Sequence, residues 1–172
     1  FFNNQKDGCF FSKYYLLDNK VYFPFMNSNA IMQFDLETEE IIIHKVGNSI
    51  QRYISIEWDG NCFWLIPRDG SNGGILKWNL LNGETEVFNN FPVGFDYHKC
   101  AFYRTEVVQN KLFLFSHLGN YNIIINMITG QMETFPHLYC VEEVRQCKYP
   151  VVYKKSDVIL ILTYNEWITW NY

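Results

Sequence analysis

The sequence predicts an all-β protein, a β-propeller of four-stranded antiparallel blades, on three observations. The first is a period. Phe34-Asp35-Leu36-Glu37-Thr38-Glu39, Trp78-Asn79-Leu80-Leu81-Asn82-Gly83 and Ile125-Asn126-Met127-Ile128-Thr129-Gly130 align, and a further copy opens at Trp170-Asn171-Tyr172. The Asp/Asn anchors at 35, 79, 126 and 171 are spaced 44, 47 and 45 residues apart, the repeat length of one propeller blade. The second is that every period holds short apolar runs separated by turn residues, with no segment of eleven or more residues keeping a helical 3.6-residue rhythm. The third is an aromatic content of 19%, which suits sheets packed face to face around an axis.

The elements follow in order within each repeat, with approximate repeats at 5–47, 48–91, 92–139 and 140–172. An apolar run leads into a two-residue turn: Asp18-Asn19, Asp59-Gly60, Gln109-Asn110 and Ser156-Asp157. Asn, Asp and Gly tolerate the positive φ angles of tight hairpins. The second runs, such as Cys62 to Ile66, Leu112 to Phe115 and Val158 to Leu162, are β-branched and aromatic and too short for helices. A polar loop follows, then a third strand carrying the anchor. A Thr/Asn/Gly turn then leads to fourth strands at Ile41 to Ile43, Thr85 to Phe88 and Met132 to Phe135.

The motif of an apolar strand followed by Asp/Asn-x-x-(Thr/Asn)-Gly resembles the repeats of bacterial propellers of the quinoprotein-like kind. It stands at Asn79 to Gly83 and Asn126 to Gly130, with a degraded copy at Asp35 to Glu39. Any kelch-like likeness is looser, because Gly73-Gly74 precedes a third strand in one blade only. The Gly-His and Trp-Asp marks of WD repeats are absent, and Phe88 or Phe135 stands where quinoprotein blades usually place a tryptophan. The resemblance implies the blade architecture and no cofactor or catalytic residue. Phe2-Asn3-Asn4 resembles Phe88-Asn89-Asn90, so the expectation is a strand remnant, three whole blades and most of a fourth. These belong to a ring of six to eight blades with missing blades or further domains of the same polypeptide; the alternative is a four-blade ring closed by Phe1-Phe2.

Composition excludes some functions. A formal charge of −4 argues against nucleic acid, whose phosphates require clustered Lys and Arg. The uncharged stretch 112–132 is interrupted by Ser116, Gly119 and several Asn, so strands are expected there and no membrane span. The five cysteines, Cys9, Cys62, Cys100, Cys140 and Cys147, form no Cys-x-x-Cys pair. No zinc site is expected, and the odd count favours a reducing compartment such as the cytoplasm. Repeat alignment places Cys9, Ile50, Cys100 and Cys147 at one position, which reads as a small buried apolar site.

In this architecture the linkers between blades and the loops between second and third strands open on one face around the axis. That face is the expected binding surface. It offers Arg68, Asp69, Tyr97, His98, His117, Tyr121, Glu142 and Arg145, and Trp167 as a stacking platform for a sugar. Linker residues of this kind are also common as plain solvated polar groups. No phosphate loop, nucleophile elbow or paired-carboxylate motif occurs, and the His spacings match no metal-ligand pattern. The leading expectation is a non-catalytic scaffold that binds a protein or carbohydrate ligand, with no cofactor. The alternative is a catalytic propeller, a lyase or hydrolase, using carboxylates such as Glu57 or Glu106 on strands lining the channel, with His98, His117, Asp69 and Glu142 converging in its pocket.

Overall fold

A computed structural model describes residues 13–70, 73–116, 118–138, 150–156, 158–163 and 166–171. Phe1-Phe2, Cys9, His117, Cys140, Glu142, Arg145 and Cys147 lie outside the described residues. The described chain forms four antiparallel sheets in sequence order. Sheet 1 holds β1 (Tyr15–Leu17), β2 (Lys20–Pro24), β3 (Ala30–Asp35) and β4 (Ile41–Lys45). Sheet 2 holds β5 (Tyr53–Trp58), β6 (Phe63–Pro67), β7 (Ile75–Trp78) and β8 (Thr85–Phe88). Sheet 3 holds β9 (Phe102–Val108), β10 (Lys111–Ser116), β11 (Asn122–Asn126) and β12 (Met132–Phe135). Sheet 4 holds β13 (Val151–Lys155), β14 (Val158–Leu162) and β15 (Trp167–Asn171). Each sheet is a plain meander, the blade of a propeller. One short 3-10 turn, Tyr97–Lys99, interrupts the linker before β9. Among the described residues no helix is long and apolar enough to cross a membrane.

The anchor motif has a physical cause. The Asn79 Oδ1 accepts the amides of Leu81 and Asn82 at 2.9 and 3.4 Å, and Asn126 Oδ1 accepts those of Ile128 and Thr129 at 3.0 and 3.1 Å. Asp35 Oδ1 does the same for Glu37 and Thr38 at 2.9 and 3.0 Å. These are Asx turns, in which a short side chain replaces a backbone acceptor. The fifth residue must then turn back in the left-handed region, at φ 76° for Gly83 and 73° for Gly130. Glu39 adopts φ 59° at the same place, a conformation that costs a side chain energy. The degraded copy therefore folds as the others do, under strain.

The first hairpin follows its expected chemistry, with Asp18 and Asn19 both at positive φ (46° and 58°) between the facing pair Leu17 and Lys20. The second differs from the expected two-residue turn. Trp58 pairs with Phe63, so four residues connect the strands. Asp59 explains this: its Oδ1 accepts the amides of Asn61 and Cys62 at 2.9 and 2.8 Å, and its Oδ2 meets the Trp64 indole N–H at 2.9 Å and the Lys77 ammonium at 2.8 Å.

Pairing register divides every sheet into two rows. Val21, Phe63, Leu112 and Ile159 are equivalent, each opposite the residue preceding an anchor: Phe34, Trp78, Ile125 and Trp170. The next residues along, Tyr22, Trp64, Phe113 and Leu160, point to the other side. Three cores result. Tyr22 and Ile31 pack on Phe63 and Trp78, Trp64 and Ile66 on Leu112 and Ile125, and Phe113 and Phe115 on Ile159 and Ile161. Sheets 2 and 3 thus each give one row to the sheet before and the other to the sheet after. β6, sandwiched on both faces, is buried at every residue.

Among the cysteines, Cys100 is buried, and burial pushes its thiol up. Ile50, expected at the equivalent position, is 61% exposed. The short linker 46–52 there folds on itself, with Asn48 N–H bonded to Gln51 Oε1.

Candidate functional site

The inner strands β1, β5 and β9 bring a charged group to the axis. Glu57 on β5 and Glu106 on β9 are register equivalents, opposite Trp64 and Phe113. Both are buried, at 2% and 5% exposure. Lys13, just before β1, reaches both, with Nζ 2.8 Å from Glu57 Oε1 and 3.2 Å from Glu106 Oε2. Its third donor meets the Thr105 carbonyl oxygen at 3.3 Å, so one ammonium serves three acceptors from two sheets. Thr105 O–H donates to Glu57 Oε1. With its single hydrogen so used, Thr105 Oγ1 accepts from Ser55 Oγ at 2.7 Å. Arg104 closes the group, its Nε and Nη2 lying 3.1 and 2.9 Å from Glu106 Oε1. Burial raises the Glu57 carboxyl above the usual range, against the pull of Lys13 and Thr105. A cavity of about 260 Å³ adjoins this group, and Lys154 on β13 also lines it.

The opposite end of the inner strands carries the loop face. A depression of about 520 Å³ is lined by Met26, Ile54, Ala101, Phe102, Tyr103 and Leu118, with Arg68 and Asp69. These come from the second-to-third-strand loops of three blades and from the starts of β5 and β9. The expected convergence of linkers and loops is therefore present, and it is braced. Arg68 donates to Asn27 Oδ1 at 2.9 Å across two blades. Gly70 N–H donates to the Cys100 carbonyl at 2.9 Å, and a Cβ at Gly70 would lie 1.8 Å from the Tyr97 carbonyl oxygen. Asn120 binds Gly94 O at 2.6 Å through its amide and accepts Asp96 N–H at 3.2 Å.

The structure brings together some of the sequence candidates and not others. Arg68 and Asp69 share the depression. Tyr97 is 8% exposed and stacks on Phe91 with ring centroids 4.1 Å apart, so it supports the loop from beneath. His98 and Tyr121 are exposed and do not line the depression. Trp167 is 62% exposed on the outer strand of sheet 4. His44 lies between sheets 1 and 2, its Nε2 3.0 Å from Gln33 Oε1 and its ring against Trp78. Burial lowers its pKa. Among the described residues no three His, Cys, Asp or Glu side chains form a metal-binding group. Lys13, Ser55, Arg104 and Thr105 escaped sequence reading. Only the packing of three sheets around the axis, which brings their inner strands within side-chain reach, identifies them.

No protein-family model matches this chain, and no curated protein sequence does. Solved structures resemble it in fold. The computationally designed Ika4 protein aligns at 12% identity and a TM-score of 0.62, over 98% of this chain and 94% of that one. A catalytically inactive virginiamycin B lyase from Staphylococcus aureus, solved with quinupristin, aligns at 13% and 0.62 over 99% of this chain and 57% of the other. The extracellular domain of a protein named as a one-component system of B. thetaiotaomicron aligns at 14% and 0.61, over 91% of this chain and 20% of the other. This chain therefore spans little more than half of the lyase chain and a fifth of the one-component-system chain. At these identities the likeness is one of fold.

Proposed function

We propose that the chain is a non-catalytic binding module that recognises a protein or carbohydrate ligand through its loop face. The observation that carries this reading is the braced depression, where an apolar floor at Ile54, Ala101 and Phe102 meets a polar rim at Arg68 and Asp69. That mixture suits a ligand with an apolar body and a hydrogen-bonding tip. The variety among the neighbours, from a lyase to an extracellular domain of a one-component system, agrees with a scaffold whose loops set specificity. The test is a thermal-shift screen of oligosaccharides and of peptides with a single aromatic or aliphatic anchor, repeated on Leu118→Arg, which fills the depression from an exposed position. Stabilisation by a hit that Leu118→Arg abolishes supports the reading. Turnover of a screened compound, or hits indifferent to Leu118→Arg, sinks it.

A second reading has its own observation. Glu57, buried and held above the usual carboxylate range beside Glu106, has the character of a general acid or base. It would make the chain a lyase or hydrolase working at the axis. Turnover abolished by Glu57→Gln with the fold intact supports it; turnover unchanged in that variant removes it.

A further inference from the structure

At the strand ends opposite the loop face, a crevice of about 350 Å³ opens between sheets 2 and 3. Both sheets have all four strands, and every residue lining the crevice is described. Three turns build its walls: the turn after β5, the Gln109-Asn110 turn after β9 and the Asx turn that begins at Asn126. They are held from within. Asp59 Oδ1 accepts the Asn61 and Cys62 amides, and Met127 N–H donates to the Asn110 carbonyl at 2.8 Å, tying the second turn to the third. Trp58, Val107, Met127 and Ile128 give the lining its apolar part, and Ile128 stands 74% exposed. Asn61, Gln109 and Asn110 give it three side-chain amides. Among the described residues those of Gln109 and Asn110 have no hydrogen-bond partner, and that of Asn61 reaches only Cys62 Sγ at 3.5 Å. The charged groups of the lining, Lys77 and Asp59, cancel one another across 2.8 Å. Lys77 Nζ also sits 5.1 Å from the centroid of the Trp64 ring, so the ammonium is fixed with two of its three hydrogens unspent on protein acceptors. Gln109 carries a further mark. Its φ of 53° is a conformation suited to glycine and unfavourable for a long side chain. Strain retained at a lining residue points to a use for its side chain.

We infer that this crevice is a second binding site, which takes one neutral pyranose ring of a carbohydrate. A pyranose presents an apolar C–H face and a circle of hydroxyls, each of which donates and accepts. The apolar walls suit the face. The amides of Asn61, Gln109 and Asn110 also both donate and accept, and Lys77 adds a fixed donor, so the rim suits the hydroxyls. The cancelled charge of Lys77 and Asp59 leaves no net field to favour an anion or a cation. A volume of about 350 Å³ lies near the small end of ligand pockets, roughly 300–1,000 Å³, which limits the occupant to a single ring. Turns braced by their own side chains offer these groups at fixed positions, which lowers the ordering cost of binding. The inference is independent of what the loop face binds.

The experiment is an NMR titration of the nitrogen-15-labelled 172-residue chain with methyl glycosides of neutral hexoses and N-acetylhexosamines. Concentrations up to about 50 mM cover the millimolar Kd of a single ring. At least one glycoside should shift the side-chain amide signals of Asn61, Gln109 and Asn110 along a saturable curve. Asn61→Leu, at an exposed position, should weaken that binding at least threefold. Gln109→Gly should weaken it at least tenfold while raising the thermal midpoint, because it relieves the left-handed residue. Binding lost from a more stable protein is not a folding defect. No saturable shift with any glycoside overturns the inference, as does binding that tolerates both Asn61→Leu and Gln109→Gly. Binding lost in Leu118→Arg and kept in those two variants assigns the glycoside to the loop face and overturns it as well. A methyl glucuronide or an N-acetyl amino-acid amide that shifts the same signals more strongly overturns the chemical class.

Discussion

Replacing Lys13 by Met tests the axial group directly. The ammonium is 23% exposed, but the carboxylates it joins are 2% and 7% exposed in their side chains. Removing it leaves Glu57 buried with only the Thr105 hydroxyl as donor, while Glu106 keeps Arg104. Breaking a buried ion pair from one side costs about 3–5 kcal/mol. Partial exposure of Lys13 lowers this to about 2–4 kcal/mol at neutral pH. The pH dependence is diagnostic. Burial is the largest influence on Glu57 and raises its pKa, and Lys13 opposes it. A carboxyl with a raised folded pKa contributes most below its unfolded pKa, and that contribution is lost as pH rises through the folded value. Lys13→Met moves the folded value further up, so the variant should be close to the parent in acid and fall behind steeply towards neutrality. Urea unfolding at several pH values measures this. Adding Glu57→Gln to Lys13→Met removes the stranded charge and should recover most of the loss. A penalty below about 1 kcal/mol that does not vary with pH would falsify the assignment of Lys13 as the counter-ion of a buried carboxylate.

Three further outcomes follow from the geometry. Glu39→Gly relieves a left-handed residue where the other repeats carry Gly, and should stabilise by about 0.5–1 kcal/mol in denaturant titration; a loss of stability contradicts the strain. Tyr53→Phe removes the buried hydroxyl that donates to the Val46 carbonyl at 2.9 Å, and a cost of about 1–2 kcal/mol is expected, measured by the same titration. Asp59→Asn severs the Lys77 pair. Burial raises the Asp59 carboxyl, but Lys77, the Cys62 amide and the Trp64 indole outweigh it and leave it net lowered. Its contribution is therefore present above the ordinary carboxylate pKa and lost as pH falls through the folded value. The thermal midpoints of Asp59→Asn and parent should converge in acid and separate at neutral pH.

The repeat was legible in the sequence because its cause is local. Asn79, Asn126 and Asp35 each bind amides two and three residues ahead, so the motif is written in consecutive letters. Arg68 and Asp69 were legible as a loop pair for the same reason. Tyr97 looked like a surface ligand because linker tyrosines carry no mark of which way they turn; packing on Phe91 turns it inward. The turn at Asp59 differs from the expected two-residue hairpin because Asp-Gly also signals that shorter turn, whereas here the Asp59 side chain caps the Asn61 and Cys62 amides and is held from outside the turn by Lys77, eighteen positions away. Of the axial group, Glu57 and Glu106 were legible as carboxylates on inner strands, but their partner Lys13 was not, for a stronger version of that reason. Lys13 meets residues more than ninety positions away, and no spacing in the chain announces it.

That long reach alters how the molecule comes apart. Stacked repeats hold only their nearest neighbours, so arrays tend to fray one unit at a time from either end. Lys13 ties sheet 1 past sheet 2 to sheet 3, and the other end has no comparable tie among the described residues. The fraying is then lopsided. Sheet 4 opens alone, whereas sheet 1 opens only with the strands that flank the axis. Amide hydrogen exchange should sense this as faster exchange along Val158–Leu162 than along Lys20–Pro24.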